Sequence, residues 1–210
     1  MSMLNLDAFR TTPLVTTPFE YLAVPGFVAP EALDRIHNDF PQIEQGGSFP
    51  LASLEYGPAF AEMTDELLGT EVQQAFAEKF DIDLSERPTT LTVRGRTRLK
   101  DGKIHIDSKT KLITVLLYLN SDWQSDGGRL RLLGSANDIE DTLYEVPPEA
   151  GMLVAFRCSE NAWHGHKPFE GERRSLQLNW VVDESAVRRS GRRHGLSAMI
   201  KRLNPLSKVA

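Results

Sequence analysis

A chain of 210 residues, 40% of them hydrophobic, is long enough to bury one sizeable core, so a single globular domain with small extensions is expected. Its one cysteine, Cys158, excludes an internal disulfide framework and a thiolate cage for zinc; any metal must rest on histidines and carboxylates, and a reducing cytoplasm is the expected setting. The net charge of −5 is uneven: residues 185–210 hold seven Lys and Arg and no acid, leaving 17 Lys and Arg against 29 Asp and Glu in residues 1–184, a balance of −12. Nowhere do roughly 18 apolar residues stand together, and Asp7 sits in a first segment without an apolar run, so neither a membrane span nor a signal peptide is expected.

The first regular element follows the Pro25-Gly26 turn. Pro30 and Glu31 stand where the first turn of a helix favours proline and acid, Leu33, Ile36 and Phe40 continue an apolar face, and Pro41 stops it, which predicts a helix over about 30–39. Residues 44–57 are rich in Gly and Ser and read as a loop. Helical spacing returns with Phe60, Met63, Leu67 and Leu68, and again after Gly69-Thr70 with Val72, Phe76 and Phe80. These two helices should cover one face of a sheet, with their aromatic rings in the core.

From Thr89 the period changes to two. Residues 89–97 alternate, and 112–119 form the near-continuous β-rich run of a strand covered on both faces. Further strands are predicted at 128–133, 142–146, 151–156 and 173–182, separated by Asp101-Gly102, Asp126-Gly127-Gly128, Pro147-Pro148 and Glu170-Gly171. Many short strands with this punctuation argue for a sandwich or jelly roll rather than a βαβ fold. The expected class is α+β, mainly β, with N-terminal helices packed on one face.

His105 and Asp107 are two apart, so on a strand their side chains would share a face. A third ligand from far along the chain, His164 or His166, would complete a 2-His-1-carboxylate face, which leaves coordination positions open and is diagnostic of non-haem iron(II) oxygenases. His-x-Asp alone is a common tripeptide. The joint pattern carries more: a second histidine 57 residues after Asp107, then a basic residue about ten further on that opens an alternating strand.

These residues resemble the 2-oxoglutarate- and iron(II)-dependent dioxygenases, in their prolyl-4-hydroxylase-like branch. The resemblance rests on His105-Ile106-Asp107, on Tyr118-Leu119-Asn120, on Gly127-Gly128-Arg129-Leu130, on Pro148 to Phe156, and on His164 to Pro168 with Gly171-Glu172-Arg173. Val24 to Val28 and Asp39-Phe40-Pro41 resemble the entry region of the same proteins, so the likeness spans roughly residues 20–182. It implies a double-stranded β-helix (jelly roll) with a core over about 89–182, inside a catalytic domain over 1–184. It further implies iron(II) on His105, Asp107 and His164, with Tyr118 and either Arg173 or Arg174 reaching the distal carboxylate of 2-oxoglutarate. Ser175 and His166 would lie beside that pocket, and His166 is an alternative ligand. The Gly171 turn favours Arg173, whereas even spacing back from Trp180 favours Arg174. The activity implied is hydroxylation of an unactivated C–H bond with molecular oxygen, releasing succinate and CO2, with ascorbate in support.

The sequence leaves the substrate open among a prolyl peptide, an amino acid and a saccharide or lipid-linked precursor. Arg94, Arg96 and Arg98 alternate toward either cavity or solvent, and the acidic stretch 134–145 either rims the pocket or is solvated. In the basic tail, 185–210, Val187, Leu196, Met199, Ile200 and Leu203 could form an apolar stripe suited to an anionic membrane, a partner protein or the acidic body itself, while nucleic acid is not expected. The alternative function is a cupin-like metal-binding barrel without 2-oxoglutarate chemistry, or a non-catalytic binding module.

Overall fold

The alternation that starts at Thr89 resolves into two antiparallel sheets in the computed structural model, which describes residues 2–191. The larger sheet runs β1 (Tyr21–Val24), β7 (Leu153–Arg157), β4 (Lys111–Tyr118), β9 (Gly171–Val181), β3 (Thr89–Thr97) and β2 (Phe49–Pro50), in that order. The smaller runs β6 (Thr142–Glu145), β5 (Arg131–Leu133) and β8 (His164–Gly165). The chain crosses between the sheets after β4, β6, β7 and β8, which gives the double-stranded β-helix expected from the sequence.

Period two sorts the side chains of the central strands. On β4, Ile113, Val115 and Leu117 turn outward, joined by Leu176, Leu178 and Trp180 of β9. They meet Phe9 of α1 (Leu6–Thr11), Ile36 of α2 (Pro30–Asn38), Phe60 and Met63 of α3 (Pro58–Leu67), and Phe76 and Phe80 of α4 (Thr70–Phe80). The Phe76 ring lies 4.9 Å from Trp180. Tyr118, Leu132, Val154 and Phe156 form a second cluster between the sheets. The central strand β4 is covered on both sides, which is why its sequence reads as an almost unbroken apolar run.

Several elements differ from the sequence reading. The segment 44–57 is not wholly loop, because Phe49 and Pro50 pair with Val93 and Thr92 and a 3-10 turn follows at Leu51–Ser53. Helix α1 carries only Leu6 and Phe9 as buried anchors, too few to set a visible period, and is capped by the Asn5 side chain accepting from the Ala8 amide. Residues 128–130 lie outside β5: Gly128 has φ +76°, and a Cβ there would come within 2.8 Å of Trp123 and 2.9 Å of Phe169. At the far end, residues 184–191 are helical, with Ala186 buried. Val187 lies in that helix, while Leu196, Met199, Ile200 and Leu203 of the predicted stripe lie outside the described residues.

Candidate active site

His105 and Asp107 are not on a regular strand. His105 instead makes an isolated antiparallel bridge with His164, in which each backbone N–H donates to the other's carbonyl at 3.0 Å. The bridge does the work a strand would have done, since directly paired residues hold their side chains side by side, and the two imidazole rings stand 4.3 Å apart. Asp107 joins them, and the ligand atoms of His105, Asp107 and His164 all lie within 4.8 Å of one another. His166 is outside this group.

The donor chemistry fits a divalent transition metal. His105 Nδ1 lies 2.8 Å from the Lys103 carbonyl and His164 Nδ1 lies 2.9 Å from the Ala162 carbonyl. A carbonyl can only accept, so both Nδ1 atoms carry the proton and both Nε2 atoms keep a free lone pair. Burial, with His105 alongside, pushes His164 down to about 4, so its ring is neutral at physiological pH. Burial pushes Asp107 up, but Lys111, His164 and the Thr114 hydroxyl outweigh it and hold the carboxyl below its ordinary value. Lys111 Nζ donates to Asp107 Oδ1 at 2.7 Å and Thr114 Oγ1 to Oδ2 at 2.5 Å. Two imidazole nitrogens and one ionised carboxylate are the set that leaves open positions on an iron(II) ion. Cys158 stands 3.9 Å from Asp107 and is no competitor, because burial and that carboxylate push its thiol up to about 12.

The pleat turns the two arginines in opposite directions. Arg173 is 4% exposed and turns into the cavity, donating from Nη2 to the Tyr118 hydroxyl at 2.9 Å and from Nε to the Gly128 carbonyl at 2.8 Å. Arg174 points the other way, over the Phe40 ring and to Glu172 at 3.0 Å, and does not line the cavity. Counting back from Trp180 misleads because Trp180 is on the helix-facing side of β9. Burial raises the Tyr118 pKa, so the phenol keeps its proton. That hydroxyl accepts from Arg173. Ser175 is the cross-strand partner of both Tyr118 and Arg94.

His105, Asp107, His164, Lys111, Thr114, Arg173 and Ser175 line one cavity of about 720 Å³. His166 lines it, with Nδ1 2.8 Å from the Lys167 carbonyl; burial, then Arg173, push it down to about 4. Its ring packs on Gly102, φ +87°, where a Cβ would come within 2.3 Å of the imidazole. Of the three alternating arginines only Arg94 reaches the cavity; Arg96 is exposed after a register shift in β3, and Arg98 lies on Asp101. Glu140 pairs with Arg131 and Lys167, and none of the acids in 134–145 lines the cavity. Sequence reasoning missed Lys111 and Thr114, although four and seven residues after Asp107, at the start of the next strand, is where partners for its carboxylate could be sought. Asn120 proves to be a brace, donating to the Pro148 carbonyl at 2.5 Å and accepting from the Arg174 amide at 2.7 Å.

Residues 96–181 match the family model of the 2OG-Fe(II) oxygenase superfamily. A search of curated protein sequences returned no match. Among solved structures, the chain is similar to a Pseudomonas putida prolyl-4-hydroxylase at 18% identity and a TM-score of 0.55, over 84% of this chain and 90% of that one. It is similar to the viral collagen prolyl hydroxylase of Paramecium Bursaria Chlorella virus-1, in complex with 2OG, at 15% identity and a TM-score of 0.55, over 78% and 96%. An oxidoreductase of the 2OG-Fe(II) oxygenase family from Burkholderia pseudomallei is similar at 17% identity and a TM-score of 0.53, over 77% and 84%. The matched segment, residues 96–181, holds all three candidate metal ligands together with Tyr118 and Arg173, and the chain shares its fold with these prolyl hydroxylases.

Proposed function

We propose that the protein is a hydroxylase that binds iron(II) through His105, Asp107 and His164, receives the distal carboxylate of 2-oxoglutarate on Arg173 and Tyr118, and oxidises an unactivated C–H bond. The observation that carries this reading is the juxtaposition, in one cavity, of three ligand atoms within 4.8 Å and a buried guanidinium paired to a phenol. When bound, iron(II) and 2-oxoglutarate supply the oxidative chemistry: oxygen is consumed, one atom leaves in succinate with release of CO2, and the other converts the substrate C–H to C–OH.

The chain's own residues select and orient. Arg173 is fixed by the Gly128 carbonyl on one edge, so its remaining donors face a carboxylate in a set geometry. Tyr118 adds a donor from a side chain with almost no freedom left. Lys111 and Thr114 hold Asp107 ionised and aimed, and the carbonyls of Lys103 and Ala162 fix the tautomers of the two histidines. Ser175 and His166 complete the wall around the cosubstrate, His166 offering a lone pair at Nε2. The catalytic unit on this reading spans residues 1–184, and 185–210 is an accessory basic segment.

Titrating 2-oxoglutarate anaerobically into the iron(II)-loaded protein tests the assignment. A weak visible charge-transfer band is expected, absent in Asp107→Ala and shifted to higher 2-oxoglutarate concentration in Arg173→Gln. A folded protein that gives no band overturns the reading.

A further inference from the structure

The cavity is more cationic than iron and 2-oxoglutarate require. Among the described residues, its lining carries four cationic side chains, Arg94, Lys111, Arg173 and Arg189, and one carboxylate, Asp107. A dicationic metal and a dianionic cosubstrate cancel, so they leave this excess in place. Lys111 is taken by Asp107 at 2.7 Å, and Arg173 is the cation assigned to the cosubstrate. Arg94 is the half-buried charge left over.

Its surroundings neutralise it only in part. The Arg94 side chain is 24% exposed, with Nη1 3.1 Å from Asp101 Oδ2 and Nη2 3.2 Å from Ser48 Oγ. Asp101 is shared: the same carboxylate receives the backbone N–H of Arg98 at 3.0 Å and its Nη2 at 2.9 Å. One carboxylate therefore serves two guanidiniums. A guanidinium stays charged at any physiological pH, and a desolvated one costs free energy unless an anion meets it. Beside Arg94 the inner face is hydroxyl and amide, with Thr92 two residues away on β3 and Gln177 opposite it on β9. An uncharged prolyl side chain would leave the excess charge uncompensated.

We propose that the substrate is itself an anion, a small polar molecule whose carboxylate or phosphate monoester is bound by Arg94 with the Ser48 hydroxyl, in the same cavity as the metal. This rests on the oxygenase reading, since it assumes that the cosubstrate occupies Arg173. Two cations on one wall then divide the labour: Arg173 holds the cosubstrate and Arg94 selects the substrate by charge.

The test uses the full chain loaded anaerobically with iron(II) and saturating 2-oxoglutarate, the visible band first reporting that the complex has formed. Methyl phosphate and, separately, acetate are then titrated by calorimetry. Saturable binding of at least one is expected, weakened about tenfold or more in Arg94→Gln and partly restored in Arg94→Lys, while the 2-oxoglutarate midpoint stays within about threefold. Binding of only one probe identifies the anion as phosphate or carboxylate. Should Arg94→Gln fail to fold, Ser48→Ala carries the same test with an expected loss of about threefold. No saturable binding of either probe overturns the proposal, as does an Arg94→Gln protein that loses 2-oxoglutarate affinity about tenfold but binds the anion as before. Absence of the band would instead count against the oxygenase assignment.

Discussion

Strand β9 has two faces that differ in almost every respect. Outward, Leu176, Leu178 and Trp180 pack on helices and are at most 2% exposed. Inward, Arg173, Ser175, Gln177 and Asn179 line the cavity. The inner face survives because its polar groups are chained together: Thr90 accepts from Asn179 at 3.0 Å, Asn179 lies 3.0 Å from the Thr114 hydroxyl, and Thr114 meets Asp107. The outer face supplies stability without chemistry, and the inner face supplies chemistry on a frame it did not have to stabilise. Separation by the pleat means a substitution should disturb one property and spare the other.

The largest effect is expected on the outer face. Trp180→Ala should cost about 3–5 kcal/mol of folding stability, measured by denaturant unfolding, while the folded fraction still binds 2-oxoglutarate with near-native affinity. On the inner face, Arg173→Gln should weaken 2-oxoglutarate about 100-fold, equivalent to about 2–3 kcal/mol, with little change in the unfolding midpoint. If the outer substitution abolished cosubstrate binding in folded protein, the two faces would not be separable.

His166 offers a pH-dependent version of the same comparison. Burial and Arg173 hold its folded pKa near 4 against an ordinary 6.5, so the unfolded chain takes up a proton more readily than the fold. Its contribution is complete above pH 6.5 and declines as the pH falls from 6.5 toward 4. In metal-free protein, His166→Asn should reduce that decline by about 2 kcal/mol, read from unfolding curves at a series of pH values. The smallest effect is expected next door to the largest cosubstrate effect: Arg174→Gln, half-exposed over Phe40, should leave 2-oxoglutarate affinity within about twofold and stability within about 0.5 kcal/mol.

Much of this organisation was written in local pattern. The period-two run at 112–119 and the helical spacing of Phe76 and Phe80 gave the layers, because burial on a fixed face leaves a regular trace. The ligand triad was legible for a different reason: metal chemistry restricts residue type so strongly that His-x-Asp and a distant histidine stand out. Register was not legible. Whether Arg173 or Arg174 turns inward depends on the phase of one strand against its neighbours, and the even spacing from Trp180 pointed to the wrong face. Arg94 was ambiguous for the same reason, since β3 shifts register between Arg94 and Arg96 and alternation alone cannot place them. The support from Lys111 and Thr114 was invisible because it is made across a turn between side chains whose types are common everywhere.

The bridge between His105 and His164 reaches beyond coordination. It and the bond from the His166 amide to the Gly102 carbonyl at 2.9 Å attach the segment before β4 to the end of the smaller sheet. An ion held by both imidazoles would fasten that seam from the side-chain face while the amides fasten it from the backbone. Loading would then act as a mechanical closure of the barrel edge, slowing deuterium exchange at the amides of His105 and His164 ahead of those on the outer strands. The gain in stability should rise with the logarithm of metal concentration, reaching about 2.7 kcal/mol at a hundredfold excess over the dissociation constant, and chelation should reopen the same seam first.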